Sequence, residues 1–373
     1  MKKNITFLLI IFVSVLYGML IIKYEIFPFN LLKNIQDRFE ENKIEIIYST
    51  EENLKYSQIN LENLLSVSQD NIDSLRINLN KNIFGKKILP KNLPDSVQKV
   101  NDSLYSELVN LDHIEQFNIT QKYNIKSIGY IFHPIKKNNR LLIYHQGHRG
   151  DFILGKKTIA FFLEKGFTIY AFNMPLKGKN NQPNIYLEKL GMFPLSNHEK
   201  FKYLENPLQY FIKPVISMIN YSKNKNFRDI TMVGISGGGW TTNLTSAVDT
   251  RVNYSFPVAG THPMFIRLQK IKDTDFEQTD EKLLSVVNYL DMYIMGAVGK
   301  ERFQIQILNK YDSCCFYGED YLIYSDFISS KVQNFEHGYF KVFSDTSHNE
   351  HKISEVALKE ILNEINSETH KNK

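Results

Sequence analysis

A chain of 373 residues with 43% hydrophobic and 23% charged residues is long enough for one large globular domain with additions, or for two domains. Its formal charge of +5 is thinly spread, with acidic and basic residues interleaved. No basic stripe of the kind nucleic-acid binding needs is present, which sets that class aside. The two cysteines, Cys314 and Cys315, are adjacent. They supply neither a disulfide framework nor the spacing of a zinc site.

Residues 5–22, ITFLLIIFVSVLYGMLII, follow Lys2 and Lys3 and carry no charge. As a helix they would span about 27 Å, close to the hydrocarbon thickness of a bilayer. The run is longer than a usual signal-peptide core, and no A-x-A-like cleavage site follows it. The expectation is an uncleaved single-pass anchor, with the lysines in the cytoplasm and the rest of the chain outside. Secretion after signal-peptide cleavage is the alternative. Residues 23–105 combine scattered helical periodicity with many polar residues and read as a helical extension. It closes in a linker where Pro90 and Pro94 break regular structure.

A regular pattern occupies residues 106–366, before a short tail at 367–373. Residues 113–124 and 125–136 alternate as two antiparallel strands. Residues 140–147 (RLLIYHQG) form a nearly continuous apolar run, as in a strand buried on both faces. A helix over 156–166 ends at Gly166, and a second buried strand follows at 167–174. Residues 207–224 are helical, with Pro214 expected to kink them or mark their start. A strand over 229–236 runs into a helix over 238–249. Strands then follow at 252–260, 302–309 and 338–345, and a last helix at 354–366. Strands alternating with helices at these spacings predict right-handed crossovers and a mostly parallel sheet covered on both faces. Segments at about 176–206 and 261–301 are insertions, placed where a lid or pocket wall would be built.

The stretch VGISGGGW, residues 233–240, places Ser236 between glycines directly after a buried strand. Three consecutive glycines serve neither strand nor helix propensity. Gly234, Ser236 and Gly238 fit G-x-S-x-G, the nucleophile elbow, and the strand–turn–helix setting is the context that motif requires. There the serine is held in strained backbone geometry above the sheet edge. The flanking glycines must be small, and the following helix directs its N-terminus at the site. A phosphate loop would need G-x-x-x-x-G-K-[ST] or an early G-x-G-x-x-G, and neither fits.

In strand order and motif order together, roughly residues 110–366 resemble the α/β-hydrolase superfamily. The resemblance implies an acid and then a histidine after the serine, each in the loop following a later strand. Asp312 follows the strand over 302–309. His348 follows the last strand, with His351 three residues on as the alternative base. It also implies an oxyanion loop at HQGHRGD, residues 145–151, where Gly147 lets the backbone approach the substrate. The backbone N–H of His148 would act there with that of Gly237. Asp345, Glu319, Asp273 and Asp275 stand behind Asp312 as candidate acids.

His348 is preferred because it lies three residues past the strand end, whereas His351 falls nearer the final helix. His145 and His148 form an H-x-x-H pair, but no third ligand accompanies them at diagnostic spacing, so no metal is expected. Cys314 and Cys315 read as small packing residues, with a vicinal disulfide as the alternative. Trp240 reads as helix packing. The function implied is a membrane-anchored serine hydrolase, without cofactor, that cleaves a carboxylic ester carried by a small molecule or polymer. A peptidase or acyltransferase of the same fold, or a non-catalytic binding module, is the alternative.

Overall fold

The computed structural model describes residues 59–270 and 275–367, with Tyr17 alone from the first 58. The anchor expected at residues 5–22 therefore lies outside the described residues. Among the described residues no helix is long and apolar enough to cross a membrane. Residues Asn60–Lys373 make one compact unit.

That unit begins before residue 106, inside what the sequence suggests is extension and linker. Helix α1, Ile72–Phe84, buries Leu79 and Ile83 and ends at Gly85, whose φ of 69° is a left-handed value that glycine adopts without strain. Strand β1, Ser96–Val100, pairs antiparallel with β2, Leu111–Thr120, and lies on the sheet edge. Pro90 and Pro94 both precede that strand, so they do not interrupt it.

After β2 the chain forms β3, Lys126–Pro134, β4, Leu141–His145, helix α2, Lys156–Glu164, and β5, Thr168–Phe172. A small hairpin of β6, Asn184–Leu187, and β7, Gly191–Pro194, occupies the first insertion. Helix α3, Gln209–Ser222, continues through Pro214. Then come β8, Ile230–Ile235, helix α4, Gly237–Val248, and β9, Tyr254–Val258. The second insertion holds the short helices α5, Met264–Lys270, and α6, Glu281–Leu284, and then α7, Tyr289–Ala297. Strand β10, Phe303–Asn309, helix α8, Ser325–Gln333, strand β11, Phe340–Asp345, and helix α9, Glu355–Asn366, complete the chain.

The main sheet has nine strands in the order β1-β2-β3-β5-β4-β8-β9-β10-β11. The first three join antiparallel, and every pair from β5 to β11 is parallel. Strands β4, β5, β8, β9 and β10 are buried along almost their whole length, as expected of strands covered on both faces. Helix α9 shows the covering logic. Leu358, Ile361 and Ile365 recur on one face and are buried in the core, each contributing about 1.5–3 kcal/mol by burial. Its start is fixed by Ser354, whose side chain accepts from the Ala357 N–H.

Part of the second insertion is core. Helix α7 is buried throughout and starts in a capping box between Asn288 and Asp291. Asp291 also accepts from the Ser66 and Val67 N–H groups at 2.8 and 2.9 Å, tying the start of the unit to this helix.

Register aligns the strand ends that matter. His145 stands opposite Gly234, Ile235 opposite Val258, and Asn309 opposite Asp345. The loops after β4, β8, β10 and β11 therefore leave one edge of the sheet, the side where open α/β sheets place their ligands. These loops carry His148, Ser236, Asp312, and the pair His348 and His351.

Candidate active site

Ser236 is the residue between β8 and α4. Its φ of 59° and ψ of −125° lie outside the regions a serine ordinarily occupies, so the turn holds backbone strain. The turn is pinned on both sides. The Ser236 N–H donates to Val258 O at 2.9 Å, and the Trp240 N–H donates to Ser236 O at 3.0 Å.

The elbow glycines are required by space. A Cβ on Gly234 would sit 2.1 Å from Gly238 O, and a Cβ on Gly238 would sit 2.1 Å from His145 O. Both obstacles are backbone and cannot swing away. A Cβ on Gly147 would come within 2.7 Å of both Ile235 O and Ser236 Cβ. The loop after β4 therefore lies directly against the serine. Trp240 is fully buried and meets Phe211 edge-on, with ring centroids 5.6 Å apart, which makes it helix packing.

Asp312 is joined to His351, not to His348. His351 Nδ1 lies 2.7 Å from Asp312 Oδ2, and both side chains are almost fully buried. The other carboxylate oxygen, Oδ1, accepts from the Cys314 N–H at 2.7 Å and the Cys315 N–H at 3.3 Å. His351 Nε2 is buried and, among the described residues, has no hydrogen-bond partner. A proton held on Nδ1 by the carboxylate leaves the Nε2 lone pair as the ring's basic position.

His348 faces another way. Its Nδ1 accepts from the Glu350 N–H at 3.1 Å, and its Nε2 lies 3.5 Å from Asp345 Oδ2. Asp345 is itself saturated, accepting from the Ser347 N–H at 2.9 Å, from its Oγ at 2.6 Å, and from Ser354 Oγ. Burial alone would raise the Asp345 pKa. The nearby His348 ring and the hydrogen bonds from Ser347 and Ser354 outweigh it and hold the carboxyl well below the usual range. His348 and Asp345 thus form a brace at the end of β11. The strand ends at Asp345 as expected, but α9 starts only at Glu355, so His351 remains in the loop.

The other candidate acids lie elsewhere. Glu319 pairs with Lys310 at 3.1 Å near the surface. Asp273 lies outside the described residues. Asp275 Oδ1 stands 3.7 Å from His148 Nε2.

Cys314 and Cys315 are joined as a vicinal disulfide. The chain thus takes the alternative arrangement for this pair, and it does so in the turn whose amides hold Asp312.

His148 and Gly237 are brought together, since a Cβ on Gly237 would meet the His148 ring at 2.4 Å. What holds that ring was not legible in the sequence. His148 Nε2 lies 2.6 Å from Oε1 of Glu277, and His198 Nδ1 lies 3.4 Å from the same oxygen. Glu277 is fully buried in the second insertion, and His198 comes from the first. Burial would raise the Glu277 pKa, but His198 and His148 overcome it and hold the carboxyl far below its ordinary value. Burial would lower His148, but Glu277 and then Asp275 raise it above the usual histidine range.

Glu277, His148 and His198 are side chains of metal-ligating type, with one atom of each lying within 4.8 Å of the others. At 2.6 Å the first two are hydrogen-bonded to each other directly. His145 is separate. It is buried, its Nδ1–H donates to Gln146 O at 2.9 Å, and burial pushes its pKa down to about 4. The H-x-x-H spacing therefore does not make a shared site.

A nine-stranded, largely parallel sheet with a strained serine after a central strand defines an α/β fold of hydrolase type. Solved structures share it. The acetyl xylan esterase from Paenibacillus sp. R4 superposes with a TM-score of 0.54 and 14% identity, over 82% of this chain and 99% of its own. Acetyl xylan esterase 1 from Thermoanaerobacterium sp. JW/SL YS485 gives 0.54 and 12%, over 83% and 99%. The methylesterase BT1017 gives 0.59 and 15%, over 82% of this chain and 66% of its own. At such identities the likeness is one of fold. No protein-family model and no curated protein matches the sequence.

Proposed function

We propose that this chain is a serine hydrolase that cleaves a carboxylic ester through Ser236, His351 and Asp312. The observation that carries the proposal is the His351–Asp312 contact with its unpaired Nε2, on the same sheet edge as the strained Ser236. Serine is a weak nucleophile at its own pKa and needs an adjacent base. His351 Nε2 takes the proton from Ser236 Oγ as the oxygen attacks the ester carbonyl. It then returns that proton to the departing alcohol, leaving an acyl-enzyme. Water repeats the sequence and frees the acid. Asp312 keeps the proton on Nδ1 and stabilises the imidazolium. The amides of Cys314 and Cys315 keep Asp312 oriented for that task.

The backbone N–H groups of Gly237 and His148 serve as the oxyanion donors, each worth about 10²–10³ in rate. The Glu277–His198 clamp on the His148 ring fixes the loop that presents one of them. Ester is preferred to peptide because the fold neighbours are named as esterases. Residues 5–22 anchor the chain with the catalytic unit outside the cytoplasm, an assignment that rests on the uncharged run behind Lys2 and Lys3.

An active-site-directed fluorophosphonate is expected to label Ser236 alone and to fail on Ser236→Ala. Ester, thioester and peptide substrates in parallel then separate esterase from peptidase. A folded protein that takes no label refutes the proposal. Membrane fractionation of the full chain, with protease added from outside, tests the anchor; a soluble chain starting near residue 23 refutes it.

A further inference from the structure

Arg267 is on α5 in the second insertion and is only 4% exposed. Its Nε and Nη1 are buried and have no hydrogen-bond partner among the described residues. Among the described residues its one ion pair is with Asp275, whose Oδ2 lies 3.7 Å from Nη2, too long for a hydrogen bond, and 42% of that side chain is exposed. Glu277 is already committed to His148 and His198. A guanidinium does not give up its proton, and among the described residues this buried charge has only one long, partly exposed ion pair, a costly arrangement for a fold to carry.

Its position ties it to the proposed triad by two routes. On one side the guanidinium carbon lies 4.5 Å from the centre of the Phe316 ring. Phe316 in turn stacks on His351, with centroids 6.5 Å apart and planes 19° from parallel. On the other side Asp275 reaches both Arg267 and His148, each at 3.7 Å. The His148 ring rests on Gly237, the residue after Ser236. His262 adds to the same corner. It is 1% exposed, both of its ring nitrogens are unpartnered among the described residues, and its ring is 5.5 Å from Phe316. Burial, with Lys270 and Arg267 nearby, keeps it neutral.

We propose that Arg267 is an anion subsite beside the catalytic centre, so that the substrate is an ester that also carries a free carboxylate, such as the half-ester of a dicarboxylic acid. The substrate carboxylate supplies the missing partner for the guanidinium, and the neutral His262 supplies a further hydrogen bond. The stack of Arg267 on Phe316 and Phe316 on His351 sets the distance between the anion and the scissile ester. This inference rests on the ester-hydrolase reading above.

Two matched esters test it, neutral 4-nitrophenyl acetate and anionic mono-4-nitrophenyl succinate. Wild type is expected to favour the anionic ester in kcat/KM by on the order of tenfold to a hundredfold, the range charge-assisted hydrogen bonds support. In Arg267→Gln the preference should fall to about one, and Arg267→Lys should retain part of it. Succinate should raise the Tm of wild type, measured against chloride at equal ionic strength, and leave Arg267→Gln unmoved. A shift with inorganic phosphate and none with succinate overturns the carboxylate assignment in favour of a phosphate group.

If Arg267→Gln does not fold, the wild-type preference and Arg267→Lys decide. A wild type labelled by fluorophosphonate that shows no preference for the anionic ester overturns the subsite and leaves the hydrolase reading standing. A wild type that takes no label overturns the hydrolase reading, while the succinate shift still reads Arg267 by itself.

Discussion

Replacing each loop histidine by alanine separates two roles that lie three residues apart. His351→Ala removes the only side chain bonded to Asp312 Oδ2 among the described residues, and the proposed acceptor for the Ser236 proton. Loss of one triad member costs most of what the triad provides, so kcat should fall by about 10⁴–10⁶, with KM little changed. Folding should survive, because Asp312 retains the Cys314 and Cys315 amides through Oδ1. His348→Ala removes a ring whose Nδ1 accepts from Glu350 and whose Nε2 faces Asp345 at 3.5 Å. Asp345 keeps its bonds from Ser347 and Ser354, so the brace is weakened but not lost. The cost should be about 1 kcal/mol of stability, the worth of the one hydrogen bond lost from the Glu350 N–H, and less than tenfold in kcat. The assay is nitrophenyl ester hydrolysis beside Ser236→Ala, with thermal melts as the folding control. If His348→Ala is as inactive as Ser236→Ala while His351→Ala retains activity, the geometric argument fails and His348 is the base.

Further outcomes follow from individual contacts. Asp312→Asn should lower kcat by about 10⁴, because the amide no longer selects the Nδ1–H tautomer; a loss under tenfold counts against Asp312. Gly238→Ala should cost at least about 3 kcal/mol in a melt, since its Cβ would lie 2.1 Å from a backbone oxygen; an unchanged Tm refutes the packing argument. Glu277→Gln should destabilise by about 3–5 kcal/mol, the cost of breaking a buried ion pair. The pH dependence has a definite sign. The raised His148 contributes stability that is lost as pH rises through its folded pKa, and the lowered Glu277 contributes stability lost only as pH falls through its own. The penalty of Glu277→Gln should therefore be largest between the ordinary values of 4.5 and 6.5 and shrink in alkali; a penalty that grows with pH is the wrong sign. Reducing Cys314–Cys315 should lower kcat tenfold or more without a matching change in KM, through loosened amides on Asp312; full activity with both thiols free argues against that coupling.

The sheet was legible because its strands are buried on both faces and read as unbroken apolar runs. Runs such as RLLIYHQG and FTIYAFNM are too short for buried helices and read as strands once helices separate them. The elbow was legible because three glycines after a strand make no sense as propensity, and the 2.1 Å approaches at Gly234 and Gly238 are the reason for them. Strand β1 was not legible. It is five residues long, partly exposed, on the sheet edge and preceded by two prolines, so it carries neither an apolar run nor a clean alternation. Helix α7 falls in the segment expected as an insertion, where a lid or pocket wall would be built, and it is buried in the core. Its aromatic and methionine content signals burial, but sequence cannot say whether a buried helix lines a pocket or the core.

At the site, what could be read was which residues stand after which strands; what could not was which way a loop turns. The end of β11 at Asp345 favours the nearer histidine by counting alone. Counting misses that Asp345 draws Ser347, His348 and Ser354 onto itself. Those contacts use up the first residues of the loop and delay the helix to Glu355, which leaves His351 free to meet Asp312. The Glu277 clamp was hidden for a similar reason. Its three members lie at positions 148, 198 and 277, on separate loops whose approach depends on how the insertions fold back over the sheet. The signal that was present is weaker but physical. An acid and two histidines in the loops flanking an elbow are costly to bury singly, and burying them together is how the chain avoids that cost.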